Sequence, residues 1–130
     1  MAIQFYPRAG QVLVCDFKGF VPPEMCKIRP VVIVSPKLPH RSEIVAVVPI
    51  STTPPTHGLP FCYKLSKNYH PQEPDDLPCW VKADMLLNIG INRLSGFKVG
   101  RRKYALPALT PEDLQAVRHA VLCGLGLDGD

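Results

Sequence analysis

A chain of 130 residues with 46% hydrophobic and 20% charged side chains has material for one buried core, too little length for two, and none of the bias of a disordered or acidic-tail protein. Its formal net charge of +4 suits a polyanionic partner but falls short of the dense basic stripe of a protein that coats nucleic acid. No run approaches the roughly 18 apolar residues of a membrane span, and the stretch from Met1 to Arg8 lacks the apolar core of a secretion signal, so a soluble, cytoplasmic protein with no membrane partner is expected.

The 15 prolines argue against long helices and for short strands joined by rigid loops. The five cysteines, Cys15, Cys26, Cys62, Cys79 and Cys123, are odd in number and widely spaced. They form no Cys-x-x-Cys pair and no zinc-type spacing, so reduced thiols are expected and neither metal nor cofactor is called for.

In chain order, Gly10 is a turn residue, and Gln11 to Phe17 is rich in β-formers and predicts the first strand. Lys18 to Ile28, with a glycine and two prolines, predicts a long exposed loop. Pro30 to Ser35 and Ile44 to Ile50 are continuous apolar runs that predict buried central strands. Phe61 to Leu65 predicts a fourth strand, and the polar, proline-bearing Ser66 to Pro78 a mobile excursion. Trp80 to Leu94 holds one or two short strands, with Trp80 in the core, and Lys98 to Tyr104 a hairpin turning at Gly100.

Thr110 as N-cap, Pro111 at the first helical position, Asp113 three residues after the cap, and Leu114, Val117, Val121, Leu122 and Leu125 at helical spacing predict one helix, about 110–124, ended by Gly124 and Gly126. Five to seven strands followed by that helix describe a mainly β, barrel-like single domain over 1–130, with a core of about 10–127 and the excursion at 66–78.

Polar groups gather at two strand ends: Arg29, where the long loop enters the second strand, with Glu24 five residues upstream, and Ser51-Thr52-Thr53 directly after the third strand. Neighbouring strands bring such ends within about 5 Å, so the two can form one site. Taken alone, an arginine beside a strand is ordinarily a solvated charge, and hydroxyls before Pro54-Pro55 are ordinarily turn residues.

The segments Gly10 to Phe17, Glu24 followed by Ile28-Arg29-Pro30-Val31-Val32-Ile33-Val34-Ser35, and Val48-Pro49-Ile50-Ser51-Thr52 resemble the MazF/PemK toxin pattern. Trp80-Val81-Lys82-Ala83-Asp84 with Arg93-Leu94 is similar to its second block, nearest to the YifN-type PemK-like endoribonucleases. The resemblance implies an SH3-like β-barrel, a homodimer and a cognate antitoxin. It also implies metal-independent cleavage of single-stranded mRNA through its 2′-hydroxyl, inhibiting translation and growth. It places the catalytic arginine on Arg29, the catalytic hydroxyl on Ser51 with Thr52 as its neighbour, and the loop glutamate on Glu24, whose loop is flexible by composition.

Lys27, Thr53, His57, Arg101 and Arg102 are the expected RNA contacts, and His57 is the histidine to test as acid or base. Two departures stand out: Gln11 replaces a usual acid, and Ser51 replaces threonine. The rival readings are a non-catalytic nucleic-acid binder, a sheet-based interaction module with no nucleic-acid partner, or a gyrase poison of the CcdB type. The last disagrees with a chain that ends Leu127-Asp128-Gly129-Asp130 rather than Trp-Gly-Ile.

Overall fold

The central apolar runs are unbroken because both faces of the sheet are covered. In the computed structural model, which describes residues 2–128, β1 (Val12–Asp16), β2 (Ile28–Ile33) and β3 (Ile44–Ser51) are antiparallel neighbours. The terminal Met1, Gly129 and Asp130, on which part of the reading of the chain ends rested, lie outside the described residues. Along the three strands, Val12, Val32 and Val48 enter one buried cluster, and Leu13, Val31, Ile33 and Val47 enter another. A strand with one wet face would alternate apolar and polar residues; these strands show no such alternation.

β4 (Cys62–Lys64), β5 (Trp80–Lys82), β6 (Leu87–Gly90) and β7 (Leu94–Ser95) complete a seven-stranded sheet in the order β4-β5-β3-β2-β1-β7, with β6 also paired to β3. β3 is the hub: one edge meets β2, while the other meets β6 over Ile44 to Val47 and β5 at Ile50 and Ser51. β4 and β7 end this path, so the expected barrel-like, mainly β architecture is an open one among the described residues.

β8 (Phe97–Gly100) and β9 (Lys103–Ala105) form a separate hairpin. Its turn falls at Arg101-Arg102, with Arg102 at φ 57°, rather than at Gly100. Among the described residues the strands number nine rather than five to seven; the extra ones are two to four residues long, too short to leave a periodic signal.

The helix α1 (Pro111–Gly124) has the expected cap, Thr110 Oγ1 accepting the Asp113 N–H at 3.1 Å. It ends in a Schellman motif: Gly126, at φ 72°, donates to Cys123 O at 3.1 Å, and Leu127 donates to Leu122 O at 2.8 Å. Val117 and Ala120 are buried, and Gly124 on the same face lies against Ala83 and Asp84, whereas Leu122 and Leu125 point away from that face and are exposed.

Asp113 has a larger role than helix capping. Its carboxylate is 1% exposed and accepts hydrogen bonds from Tyr63 Oη at 2.6 Å, Ser66 Oγ at 2.6 Å, Tyr69 Oη at 2.7 Å and the Ser66 N–H at 3.2 Å. Tyr69 Oη in turn accepts the Thr110 N–H at 3.2 Å. The stretch 66–78, expected to be mobile, is therefore tied to the helix. Further bonds close it on itself, Asn68 N–H to Asp75 O at 2.9 Å and Leu65 N–H to Cys79 O at 3.1 Å.

Burial opposes the Asp113 charge, but the hydrogen bonds from Ser66, Tyr63 and Tyr69 outweigh it and hold the carboxyl below its ordinary range. A carboxyl that titrates lower folded than unfolded stabilises fully above about pH 4, and that contribution vanishes as pH falls through the folded value. Asp113→Ala, which strands several buried donors, is expected to lower unfolding free energy by at least about 3 kcal/mol at pH 7. In denaturant titrations the stability of Asp113→Asn should fall less steeply below about pH 4 than that of the wild type.

Candidate nucleic-acid interface

The site begins where the pairing of β2 with β3 ends. β2 and β3 pair Val31 with Pro49, Val32 with Val48 and Ile33 with Val47. Continuing that register two residues toward the loops sets Arg29 opposite Ser51, and residues opposite one another share a face of the sheet. Pro30 lacks the N–H that a further β2–β3 pair with Ile50 would need, and the pairing ends at Val31 and Pro49. Arg29 and Ser51 stand just beyond that last pair, both half-buried.

Two concavities meet on this pair. The first, of about 360 Å³, is lined by Glu24, Lys27, Arg29, Ser51 and Thr53, with Lys82 and Met85 on its far side and Pro22, Pro23 and Pro49 among its apolar walls. The second, of about 350 Å³, is lined by Arg29, Ser51, Thr52 and Thr53 together with Asn68, His70, Glu73 and Leu77. Arg29, Ser51 and Thr53 belong to both and form the ridge between them. The first concavity carries three cations, Lys27, Arg29 and Lys82, against one carboxylate, Glu24, a balance that attracts a phosphate backbone.

The side chains on the ridge are oriented. Ser51 Oγ accepts the Thr53 N–H at 3.0 Å. A hydroxyl so engaged keeps its proton free to donate to an incoming oxygen. Glu24 lies in a turn in which its N–H donates to Val21 O at 2.9 Å while one carboxylate oxygen accepts the Val21 N–H at 3.3 Å, leaving the other oxygen open.

Its loop, flexible by composition, is pinned. Met25 is buried, Phe17 and Phe20 meet edge to face at 5.6 Å, and Arg93 donates to Asp16 O at 3.0 Å and Lys18 O at 2.7 Å while lying 4.8 Å over the Phe20 ring. Arg93, part of the second sequence block, is thus the clamp of this loop and does not line the cleft. Gln11 is nearly buried and accepts the Arg8 N–H at 2.8 Å, so the departure at that position sits outside both concavities.

The structure therefore brings together Glu24, Lys27, Arg29, Ser51, Thr52 and Thr53. It does not bring His57, exposed in the loop between β3 and β4, or Arg101 and Arg102 at the hairpin tip, to either concavity. Lys82, His70 and Glu73 join the lining instead. Lys82 was signalled by the Trp80 to Asp84 block; His70 and Glu73 had no local signal, because the fold of the 66–78 segment alone brings them there. Among the described residues, no three His, Cys, Asp or Glu side chains gather closely enough to hold a metal ion, and no helix is long and apolar enough to cross a membrane. All five cysteines are free thiols, and burial pushes Cys15 up to about 12.

Known proteins are similar to this chain in sequence or in fold. YifN of Escherichia coli (strain K12) is 29% identical over an alignment 148 positions long that covers 94% of this chain and 93% of that protein. An endoribonuclease from a mycobacterial species, solved in complex with its cognate antitoxin, superposes with a TM-score of 0.66 at 25% identity over 95% of this chain and 99% of its own. MazF from Deinococcus radiodurans, at 19% identity and a TM-score of 0.63 over 95% of this chain and 99% of its own, has the same fold. The model of the PemK-like, MazF-like toxins of type II toxin-antitoxin systems matches residues 8–123, and with that match the chain belongs to this family.

Proposed function

We propose that this chain is an endoribonuclease toxin that cuts single-stranded RNA through the RNA's own 2′-hydroxyl, with Arg29 and Ser51 as the catalytic pair. The observation that carries the reading is their placement opposite one another just beyond the last β2–β3 pair, on a ridge shared by two concavities and flanked by Lys27 and Lys82. The mycobacterial relative at 25% identity, an endoribonuclease held by an antitoxin, supports the same chemistry and a cognate antitoxin as partner. As in the resemblance, the toxin works as a cytoplasmic homodimer, and the antitoxin keeps it from the cell's mRNA.

In this reaction the 2′-oxygen attacks phosphorus and the 5′-oxygen leaves, producing a 2′,3′-cyclic phosphate and a free 5′-hydroxyl. Three services are required: a base for the 2′-hydroxyl, a proton for the leaving oxygen, and stabilisation of the extra negative charge on phosphorus. The Arg29 guanidinium, permanently charged and forked, supplies the last, bridging two phosphate oxygens. The Ser51 hydroxyl, its acceptor side engaged by the Thr53 N–H, donates to a phosphate oxygen, with Thr52 beside it. Glu24, with one carboxylate oxygen unengaged, is the base that takes the 2′-hydroxyl proton, and the leaving 5′-oxygen takes its proton from solvent water. Lys27, Lys82 and Thr53 hold the flanking backbone.

Incubated with single-stranded RNA in EDTA, the wild type should cut and leave cyclic-phosphate ends, and Arg29→Ala should be slower by about a hundred- to a thousandfold, the usual cost of one preorganised charge-stabilising donor. Intact RNA across a wide range of sequences, or cutting that survives Arg29→Ala, contradicts the reading. Ser51→Ala should lose somewhat less than Arg29→Ala in single-turnover rates. Ser51→Thr, which keeps the hydroxyl and adds the β-branch favoured in strands, should cut at least as fast as the wild type.

A further inference from the structure

The ridge residues leave half of their surroundings without a role: the second concavity, across Arg29 and Ser51 from the cationic cleft. We propose that it is a base-reading subsite, in which Glu73 and His70 select guanine next to the bond that is cut. The assignment rests on the proposed RNA-cleaving function for where the phosphate lies. It rests on the structure for the pocket itself.

A phosphate held by Arg29 and Ser51 places its neighbouring nucleotide at the mouth of this pocket, because those residues line both concavities. At about 350 Å³ the pocket lies near the lower end of the roughly 300–1,000 Å³ typical of small-molecule sites. Ile50, Leu77 and Pro30 offer apolar surface for a base plane, and Cys79, its thiol pushed up by burial, adds a neutral wall.

The polar groups on the rim are of a kind that suits a base and disfavours a phosphate. Glu73 is exposed, and its carboxylate repels backbone while accepting N–H groups. His70 is held in place: its ring Nδ1 accepts the Gln72 N–H at 3.1 Å, its backbone N–H donates to Asn68 Oδ1 at 2.9 Å, and its ring meets Phe97 edge to face with centroids 4.6 Å apart. A neutral imidazole that accepts at Nδ1 carries its proton on Nε2, so His70 offers a donor. The Glu73 N–H closes a turn on His70 O at 3.1 Å, which keeps the acceptor and the donor side by side.

Single-stranded RNA is read along the Watson–Crick edges of splayed bases. Guanine is the RNA base that presents two adjacent N–H donors, N1 and N2, with an acceptor, O6, beside them. Both oxygens of a carboxylate can accept the pair while a histidine N–H donates to O6. Adenine, cytosine and uracil each lack one half of this pattern.

The test uses short 2′-O-methyl oligonucleotides, which have no attacking hydroxyl and are not cut, identical except for one base. Their affinities for the wild type, Glu73→Gln and His70→Ala are measured by fluorescence anisotropy, with circular dichroism melts to confirm that each variant is folded. The wild type should favour the guanine oligonucleotide by about tenfold or more, the discrimination that one bidentate contact provides. Glu73→Gln, a substitution of an exposed side chain, should bring the four bases to within about twofold, and His70→Ala should narrow the gap in the same direction. Equal binding of all four by the wild type, or a guanine preference that persists in Glu73→Gln, overturns the proposal. Because no cleavage is involved, failure of the RNA-cutting reading leaves this result standing on its own.

Discussion

The register that sets Val31 against Pro49 governs every functional feature of this chain. Because both faces of β2 and β3 are apolar and buried, hydrophobic burial by itself does not decide which residues face which way. Close packing distinguishes the two clusters by shape and so fixes the register. A one-residue slip would turn Arg29 onto the opposite face of β2, away from the cleft it shares with Glu24 and Lys27.

Two separate polar hubs hold the walls of that space. On one side the loop after β1 is gathered by Arg93, which bonds two carbonyls and covers Phe20, while Met25 enters the core beside Glu24. On the other side the segment 66–78 is gathered by Asp113, whose carboxylate receives four hydrogen bonds at the first turn of α1. Neither hub touches the groove, but each sets where a groove residue stands: Glu24 for the first, His70 and Glu73 for the second. Groups fixed in this way need little reorganisation when charge develops on a phosphate, the condition under which electrostatic stabilisation is worth most.

Much of this was legible in the residues. The unbroken runs Pro30 to Ser35 and Ile44 to Ile50 announced strands covered on both faces, and Thr110-Pro111 with the later glycines announced the helix and its ends. Arg29 and Ser51 were visible as polar groups at two strand ends, and the resemblance of their flanks to a toxin family joined them. What stayed hidden depended on contacts distant in sequence. Asp113 reads locally as a capping residue, and only the approach of Tyr63, Ser66 and Tyr69, more than forty positions away, makes it a hub. For the same reason 66–78 read as mobile: its composition is that of a loose loop, and its order comes from the helix. His57, next to the hydroxyls in sequence, lies outside the groove, whereas His70, far from them in sequence, lines it.

Arg29 and Ser51 are proposed to act together on one phosphate. A double-mutant cycle on RNA cleavage tests it most directly, with single-turnover rates for the wild type, Arg29→Ala, Ser51→Ala and the double variant. Residues that serve one transition state are strongly non-additive, so the double variant should cut only slightly more slowly than Arg29→Ala alone. If instead the two losses multiply as independent effects, the two side chains do not share a phosphate, and the site built on their register is wrong.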